Sequence, residues 1–164
     1  LQKIISANDE EVTLNVSQNQ INVVGSVFSF TSKLIEGNYP DYEKVFPVGD
    51  ESKLVVDKNE FSTALSRASV LSNEKYRGIR LSLNKDLLKI EANNPEKESA
   101  EEEIKVDYSG PELEIGFNIS YLQESLTTIK DLSAEIVFFG QESSCIVKNK
   151  ENEDLIHVIM PMRL

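Results

Sequence analysis

An order of predicted elements that occurs twice constrains the fold of this chain more than any other feature. Residues 51–110 and residues 111–164 each begin with an apolar strand pattern, continue with apolar residues at helical spacing, and end with three strand patterns. The two halves share little sequence, so the repeat is one of pattern. Two β-α-β-β-β units predict an α+β fold, with two helices side by side on one side of antiparallel sheets.

Each half has one predicted helix, whose apolar stripe would face a core. The first helix is predicted over residues 58–71, and Asp57 followed by Glu60 predicts a capping box at its start. The second helix is predicted over residues 118–129. The stripe residues are Phe61, Leu65, Ala68 and Leu71 in the first helix and Ile119, Leu122, Leu126 and Ile129 in the second.

The leading part of the chain follows a different order. Strand patterns with short polar turns predict an antiparallel meander over residues 11–35, and the preceding LQKIIS is typical of the end of a helix. Turn signals then follow around Gly37, Pro40 and Pro47. Because apolar and aromatic residues lie between these signals, they favour an ordered connector to the doubled region.

The charge of the chain argues against a simple nucleic-acid binder. The formal net charge is −11 at pH 7, whereas such proteins normally carry a basic face or a high isoelectric point. A net charge is a sum, so an acidic exterior can coexist with a few cations on one inner surface. The composition therefore leaves open a DNA contact that is confined to such a surface.

No catalytic or metal-binding pattern is visible in the sequence. The single histidine, His157, has no second histidine or cysteine at metal-ligand spacing, and Cys145 lies in an alternating strand pattern. There is no G-x-S-x-G motif and no glycine-rich phosphate loop. We therefore expect no enzyme, no metal and no cofactor. An enzyme that uses His157 or Cys145 is a remote alternative.

The cysteine content and the apolar patterning indicate a compartment. A single cysteine gives no disulfide framework. No apolar run approaches the roughly 20 residues that a membrane helix needs, and no export signal precedes the first strand. We therefore expect a reducing cytoplasm as the location.

The chain finishes on HVIMPMRL, an apolar ending in an acidic protein, whereas chain ends are usually polar. Pro161 cannot donate to a strand ladder, so pairing should end there and leave residues 162–164 on the surface. Methionine side chains in exposed grooves adapt to different partners. The tail therefore predicts one wall of a docking pocket for short peptides. An edge strand that packs on its own sheet is the alternative.

Five stretches of the sequence are long and distinctive. They are TSKLIEGNYPDYEKVFP, LSNEKYRGIRL, IEANNPEKESAEE, YSGPELEIGFNISYL and VIMPMRL. In this order they resemble the bacterial sliding clamps, the β subunits of the replicative DNA polymerase III holoenzyme, which have three similar domains per subunit. The resemblance implies that residues 1–43 are the C-terminal part of an incomplete middle domain, residues 44–49 a connector, and residues 50–164 the C-terminal clamp domain.

The resemblance implies a DNA replication processivity factor without catalytic activity. Such a clamp is a dimeric ring that encircles duplex DNA without sequence preference, and its pocket tethers DNA polymerases, the clamp loader and repair factors through motifs like Gln-Leu-x-Leu-Phe. The alternative is a stand-alone β-rich peptide-binding module with no role on DNA. Because the first domain of the family has no counterpart here, we expect this chain to be mostly monomeric.

The resemblance also implies the lining of the peptide pocket, part of which would come from sequence outside this chain. Lys44 stands where many family members have arginine, which would weaken a bidentate contact, and Glu142 replaces an apolar residue of the family. Asn118 has an alternative role as a helix N-cap, and Tyr121 as a core residue. The implied pocket residues are Pro40, Lys44, Val45, Tyr76, Asn118, Tyr121, Ser144, Val158, Ile159, Met160, Pro161, Met162, Arg163 and Leu164.

Two further surfaces follow from the same resemblance. The acidic stretch NNPEKESAEEEIKVD would form the edge that meets a second subunit, and the two helices would line the central hole of the ring. Ordinary solvated surfaces are the alternative for both. The residues implied at the subunit interface are Val70, Leu71, Glu96, Glu98 and Glu102, and those implied to face DNA are Lys58, Arg67 and Lys130.

Overall fold

The computed structural model describes residues 11–39, 41–150 and 155–164. The chain divides into two compact units, one that ends at Asp41 and one that comprises Tyr42–Leu164. The expected helix end at LQKIIS lies outside the described residues.

The first unit contains a three-stranded antiparallel sheet in the order β1 (Thr13–Val16), β2 (Gln20–Val24) and β3 (Ser29–Lys33). This sheet confirms the predicted meander, because each strand pairs with the next along the chain. Val23 on the middle strand is fully buried, whereas Leu14 and Val16 on β1 are largely exposed.

The second unit follows the doubled β-α-β-β-β order and thereby confirms it. It opens with a short 3₁₀ helix, Tyr42–Val45. The first half then contains β4 (Ser52–Asp57), α1 (Lys58–Ser69), β5 (Gly78–Asn84), β6 (Leu87–Asn93), β7 (Ser99–Lys105) and β8 (Asp107–Tyr108). The second half contains β9 (Leu113–Asn118), α2 (Ile119–Thr128), β10 (Ser133–Phe138), β11 (Cys145–Asn149) and β12 (Ile156–Ile159).

One predicted strand differs from the structure. The pattern over residues 101–109 predicts a single strand, but the chain divides it into β7 and β8, which join different sheets. At the division, the amide of Asp86 donates to Tyr108 O at 3.1 Å and its carbonyl accepts from Val106 N at 3.2 Å, while Tyr108 pairs with Leu54 of β4. Long-range pairing therefore overrides a continuous local pattern.

The strands form two antiparallel sheets that exchange one strand between the halves. One sheet has the order β7-β6-β5-β9, so that β9 of the second half pairs with β5. The other has the order β12-β11-β10-β4-β8, so that β4 of the first half pairs with β10. Each half therefore completes the sheet of the other.

Both helices and both sheets contribute to one apolar core. On α1 the buried face comprises Phe61, Ala64, Leu65 and Ala68, whereas Leu71 lies beyond the end of the helix and is only half-buried. Helix α1 packs on β4, β6 and β7, helix α2 packs on β9 and β12, and the two helices contact each other. Truncation of a fully buried phenylalanine such as Phe61 to alanine costs roughly 3–5 kcal/mol, so this core holds the domain together.

Both helices begin at a side-chain cap. Asp57 Oδ1 accepts from Glu60 N at 2.8 Å at the start of α1, and Asn118 Oδ1 accepts from Ser120 N at 2.9 Å at the start of α2. These contacts satisfy amides that have no partner within the helix. No described helix combines the length and the apolar character that spanning a membrane requires.

Candidate functional site

The C-terminal tail leaves its sheet as the sequence predicts. In the described residues, strand β12 is an edge strand of the five-stranded sheet. Its pairing with β11 ends at Ile159 and Cys145, before Pro161. Beyond the proline, Met162 N donates to Gly116 O on β9 of the other sheet at 2.9 Å. The tail therefore passes from one sheet to the other.

A groove of about 610 Å³ lies between α2 and β12. Its lining includes Tyr121 and Ser125 on the helix and Val158 and Ile159 on the strand. The Tyr121 side chain is 57% exposed, so its interpretation as a core residue is wrong. Tyr121 lies one helical turn before buried Ser125, so it borders the buried face of α2 and its ring is accessible from the groove.

His157 lines this groove and contacts Thr128, which lines it as well. Its Nε2 atom lies 2.7 Å from Thr128 Oγ1, which joins β12 to the end of α2. Thr128 Oγ1 also lies 2.7 Å from Ser125 O. The one histidine is thus half-buried and bonded between two elements.

A second groove, of about 370 Å³, lies on the other side of the tail. Residues 162–164 line it together with Arg80, Glu114 and Glu142. Arg163 Nη2 is 3.5 Å from Glu142 Oε1, and the two side chains are 95% and 84% exposed. An ion pair this open to water contributes little to stability, so it sets the charge of the rim.

Asn118 and Tyr76 are brought together at the start of α2. Asn118 Nδ2 donates to Tyr76 O at 3.3 Å while its Oδ1 caps the helix. The Tyr76 side chain remains exposed, and Lys75 Nζ lies 5.3 Å from the centre of its ring. The amide of Asn118 is therefore engaged within the domain at both ends, which supports the N-cap alternative.

The remaining pocket residues lie elsewhere. Lys44 and Val45 lie in the exposed 3₁₀ helix, and Ser144 is half-buried immediately before β11. None of these three lines either groove beside the tail. Pro40 lies outside the described residues. The structure thus unites Tyr121 with the end of β12, Asn118 with Tyr76, and the tail with Glu142.

The segment that follows α1 and the turn between β6 and β7 frame a third groove, of about 480 Å³. It is lined by Val70, which is 78% exposed, and by Glu96 and Glu98 among other residues. Asn94 holds Glu98 in place, since its Nδ2 donates to Glu98 Oε2 at 2.7 Å. Half-buried Leu71 follows Val70. Three of the five expected interface residues therefore line this groove, and Leu71 adjoins it in sequence.

Glu102 lies apart from this groove because it binds Arg67. The guanidinium donates from Nε to Glu102 Oε1 at 2.8 Å and from Nη2 to Oε2 at 2.7 Å. These hydrogen bonds, together with the opposite charges, raise the pKa of Arg67 and lower the pKa of Glu102. A residue expected to face DNA and a residue expected to face a second subunit are thus bound to each other.

The other two expected DNA-facing cations differ in their engagement. Lys58 Nζ donates to Ile129 O at the end of α2 at 3.0 Å. Lys130 is exposed, and its backbone amide donates to buried Asn149 Oδ1 at 3.1 Å. Lys58 is thus half-buried and bonded within the domain, whereas the Lys130 side chain is exposed.

Cys145 has no character of a nucleophile. Its side chain is fully buried in β11, and burial raises the pKa of the thiol to about 12. A thiol in that state stays protonated at neutral pH and is unreactive. Among the described residues, no group of His, Cys, Asp and Glu side chains is arranged to hold a metal ion.

Sequence reasoning missed Gly78 and Gly116, against which the tail packs. A glycine inside a strand often marks a close approach of another backbone, so a signal was present at both positions. The bond between Thr128 and His157 had no comparable signal, since its partners are distant in sequence.

Known proteins resemble the chain over its whole length. A sequence model of the DNA polymerase III beta subunit, C-terminal domain, matches residues 43–163, and a model of the central domain of that subunit matches residues 1–41. The beta sliding clamp of Pseudomonas aeruginosa is 46% identical over 164 residues, which are 100% of this chain and 45% of that protein. The chain thus spans about half the length of the curated relative.

Solved clamp structures have the same fold. A DNA polymerase sliding clamp from Pseudomonas aeruginosa, solved with ligand, superposes with a TM-score of 0.89 at 46% identity, covering 99% of this chain and 44% of that chain. A sliding clamp from Bartonella birtlesii bound to griselimycin superposes with a TM-score of 0.90 at 32% identity, with the same coverage of 99% and 44%.

Proposed function

Because this chain belongs to the DNA polymerase III β-subunit family, the bacterial sliding clamps, we propose that it works in DNA replication as part of a processivity factor. Its fold is the α+β DNA-clamp fold. The full subunit would form a dimeric ring around duplex DNA and would have no catalytic activity of its own. A closed ring stays on DNA by topology, so it needs only weak, sequence-independent phosphate contacts. Its place of action would be the cytoplasm.

The proposed domain division follows the family plan. Residues 1–43 would form the C-terminal part of the middle domain of the subunit. Residues 44–49 would connect it to the C-terminal domain, which residues 50–164 would form. The match of two family models to residues 1–41 and 43–163 supports a boundary in this region.

The groove between α2 and β12 carries the peptide-binding part of the proposal. Its wall combines the accessible ring of Tyr121 with Val158 and Ile159, the residues from which the tail departs. Apolar walls of this kind suit the leucine and phenylalanine side chains of a Gln-Leu-x-Leu-Phe motif. A related clamp bound to griselimycin supports a ligand-binding surface on this fold. DNA polymerases, the clamp loader and repair factors would share the pocket.

The ring contact would use the groove between the segment that follows α1 and the turn between β6 and β7. Exposed Val70 offers an apolar contact, while Glu96 and Glu98 offer negative charge to a basic partner surface. Glu102 would contribute only through its pair with Arg67. The complementary first domain is not part of this chain, so sedimentation at micromolar protein should find a monomer.

A titration of a labelled Gln-Leu-Ser-Leu-Phe peptide, followed by fluorescence polarisation, tests the proposed pocket. We expect saturable binding to the chain and loss of binding when residues 162–164 are removed. Part of the family pocket would come from sequence outside this chain, so the same titration on the whole gene product decides the matter. Failure of the whole gene product to bind would overturn the proposal.

A peptide-binding module without a role on DNA is the second candidate. The engagement of Lys58 by Ile129 and of Arg67 by Glu102 favours it, because both cations are used within the domain. Retention of the whole gene product on circular DNA, after loading by its clamp loader, separates the two functions. A clamp is released when the circle is cut because the ring slides off the ends, whereas a peptide-binding module is not retained at all.

A further inference from the structure

We propose that Gly116 is the docking point of the C-terminal tail on β9, which we call the seat. The seat positions residues 158–164 for peptide binding, an inference that rests on the proposed function. The tail has no ladder pairing beyond Ile159. The backbone hydrogen bond from Met162 to Gly116, at 2.9 Å, then fixes the tail on β9. The pairing of Ile159 and the hydrogen bond of Met162 together determine the path of the chain between these two residues.

The seat exists because Gly116 has no side chain. A Cβ atom at this position would collide with the carbonyl oxygen of Met162 and would lie 2.9 Å from both Cγ and Cδ1 of Leu164. The first of these contacts is with backbone, so no change of side-chain rotamer relieves it. Any side chain at residue 116 therefore displaces the tail itself.

Gly78 on the neighbouring strand β5 provides a natural comparison. A Cβ atom there would collide with Leu164 Cδ2, and the next atoms are Met162 Sδ at 3.5 Å and Met162 Cε at 3.6 Å. All three belong to flexible side chains, which can move without moving the tail backbone. The two glycines face the same segment, but only Gly116 is in contact with its main chain.

Backbone conformation does not explain glycine at residue 116. The described glycines with positive φ are Gly37, Gly49 and Gly140, whereas Gly116 lies within strand β9. Glycine weakens a strand interior because it has no side chain to pack. The close approach of the tail accounts for it.

The consequence for function is geometric. One side of the seated tail faces the groove with Glu142, and the residues before it border the groove with Tyr121. A tail released from β9 would keep Val158 and Ile159 in the sheet but would lose the fixed positions of Met160 and Met162. Peptide affinity would fall although no residue of the groove between α2 and β12 had changed.

The experiment compares Gly116→Ala with Gly78→Ala in the 164-residue chain. Hydrogen exchange of the Met162 amide, measured by NMR, reports release of the tail independently of any peptide. We expect exchange to accelerate about tenfold or more in Gly116→Ala and much less in Gly78→Ala, since only the former breaks the backbone contact. Peptide affinity, measured by fluorescence polarisation, should fall in the same order. Equal exchange in the two variants would overturn the seat.

A second variant covers a failure of Gly116→Ala to fold. Met162→Pro leaves β9 unchanged and removes the amide that donates to Gly116, together with the Met162 side chain. The tail should again be released, now seen as faster removal of Leu164 by carboxypeptidase. Unchanged removal would overturn the seat. If the tail is released but peptide affinity is unchanged, the positioning role is wrong. If the unchanged chain and the whole gene product bind no peptide, the proposed function fails while the seat stands.

Discussion

Arg67 and Glu102 form a bidentate ion pair that joins helix α1 to the edge strand β7. The two hydrogen bonds measure 2.8 and 2.7 Å, a fork geometry that arginine offers and lysine does not. The Glu102 side chain is 23% exposed, and the neighbouring Glu101 and Glu103 point to the opposite face of the strand. The pair therefore holds the one carboxylate of this run that faces the helix.

Glu102→Gln should reduce the loss of stability in acid. The Arg67 contact lowers the pKa of Glu102 below its ordinary value of 4.5, so the folded state is favoured at pH values above 4.5. This contribution is lost as the pH falls through the folded-state pKa. Urea unfolding over a pH series should show a difference between the original chain and the variant that is constant near neutral pH and shrinks in acid.

Glu103→Gln is the matched control, because Glu103 is exposed on the same strand. Its stability difference from the original chain should be small, because the Glu103 side chain points away from Arg67. If both variants behave alike, the pair between Arg67 and Glu102 does not persist in solution.

Asn118→Ala should lower the free energy of unfolding by about 1 kcal/mol, the usual cost of removing an N-cap. Asn118→Asp should lower it less, because a carboxylate still accepts from Ser120 N although it no longer donates to Tyr76 O. Urea unfolding followed by far-UV circular dichroism measures both variants. Equal losses would mean that the contact with Tyr76, rather than the cap, stabilises this corner.

Tyr121→Ala should leave the free energy of unfolding within about 0.5 kcal/mol, since the side chain is largely exposed. Peptide affinity should fall about tenfold or more, as for an aromatic residue at the centre of an interface. Leu132→Ala, which also truncates an exposed apolar side chain but lies outside the groove, should change neither quantity. Retained peptide affinity in Tyr121→Ala would remove this groove from the proposed pocket.

Cys145 should resist thiol reagents in the folded protein. Burial and the pKa of about 12 keep the thiol protonated and inaccessible, so reaction must await local opening of β11. A thiol assay should therefore find almost no fast reaction in buffer and complete reaction in concentrated guanidinium chloride. Fast reaction of the native protein would reopen a chemical role for this residue.

Local patterns predicted most of the secondary structure. The strand pattern over residues 87–93 predicts β6 with its observed bounds, and α2 begins at the cap that Asn118 provides. Both features depend on neighbours in sequence, that is, on alternation for the strand and on a side chain that reaches its own helix for the cap. Tyr121 shows the limit, because an aromatic residue near an apolar stripe does not reveal by itself on which side of the helix it lies.

Features that join distant residues were not predictable in this way. Arg67 and Glu102 were each expected to serve an external partner, whereas their contact depends on where α1 packs against β7. The division between β7 and β8 depends likewise on the pairing of Leu54 with Tyr108. Such contacts are set by the packing of elements, which composition and periodicity do not encode.

The exchange of β4 and β9 between the halves should make their folding cooperative. The pairs of Val56 with Ala134 and of Ile79 with Phe117 close large loops, and their entropic cost precedes the gain from the sheets. Neither half can complete a sheet before the other is present, so we expect neither half to be stable alone. During synthesis, a nascent chain that has left the ribosome only as far as the first half would expose the unpaired edges of β4 and β5 until β9 and β10 emerge.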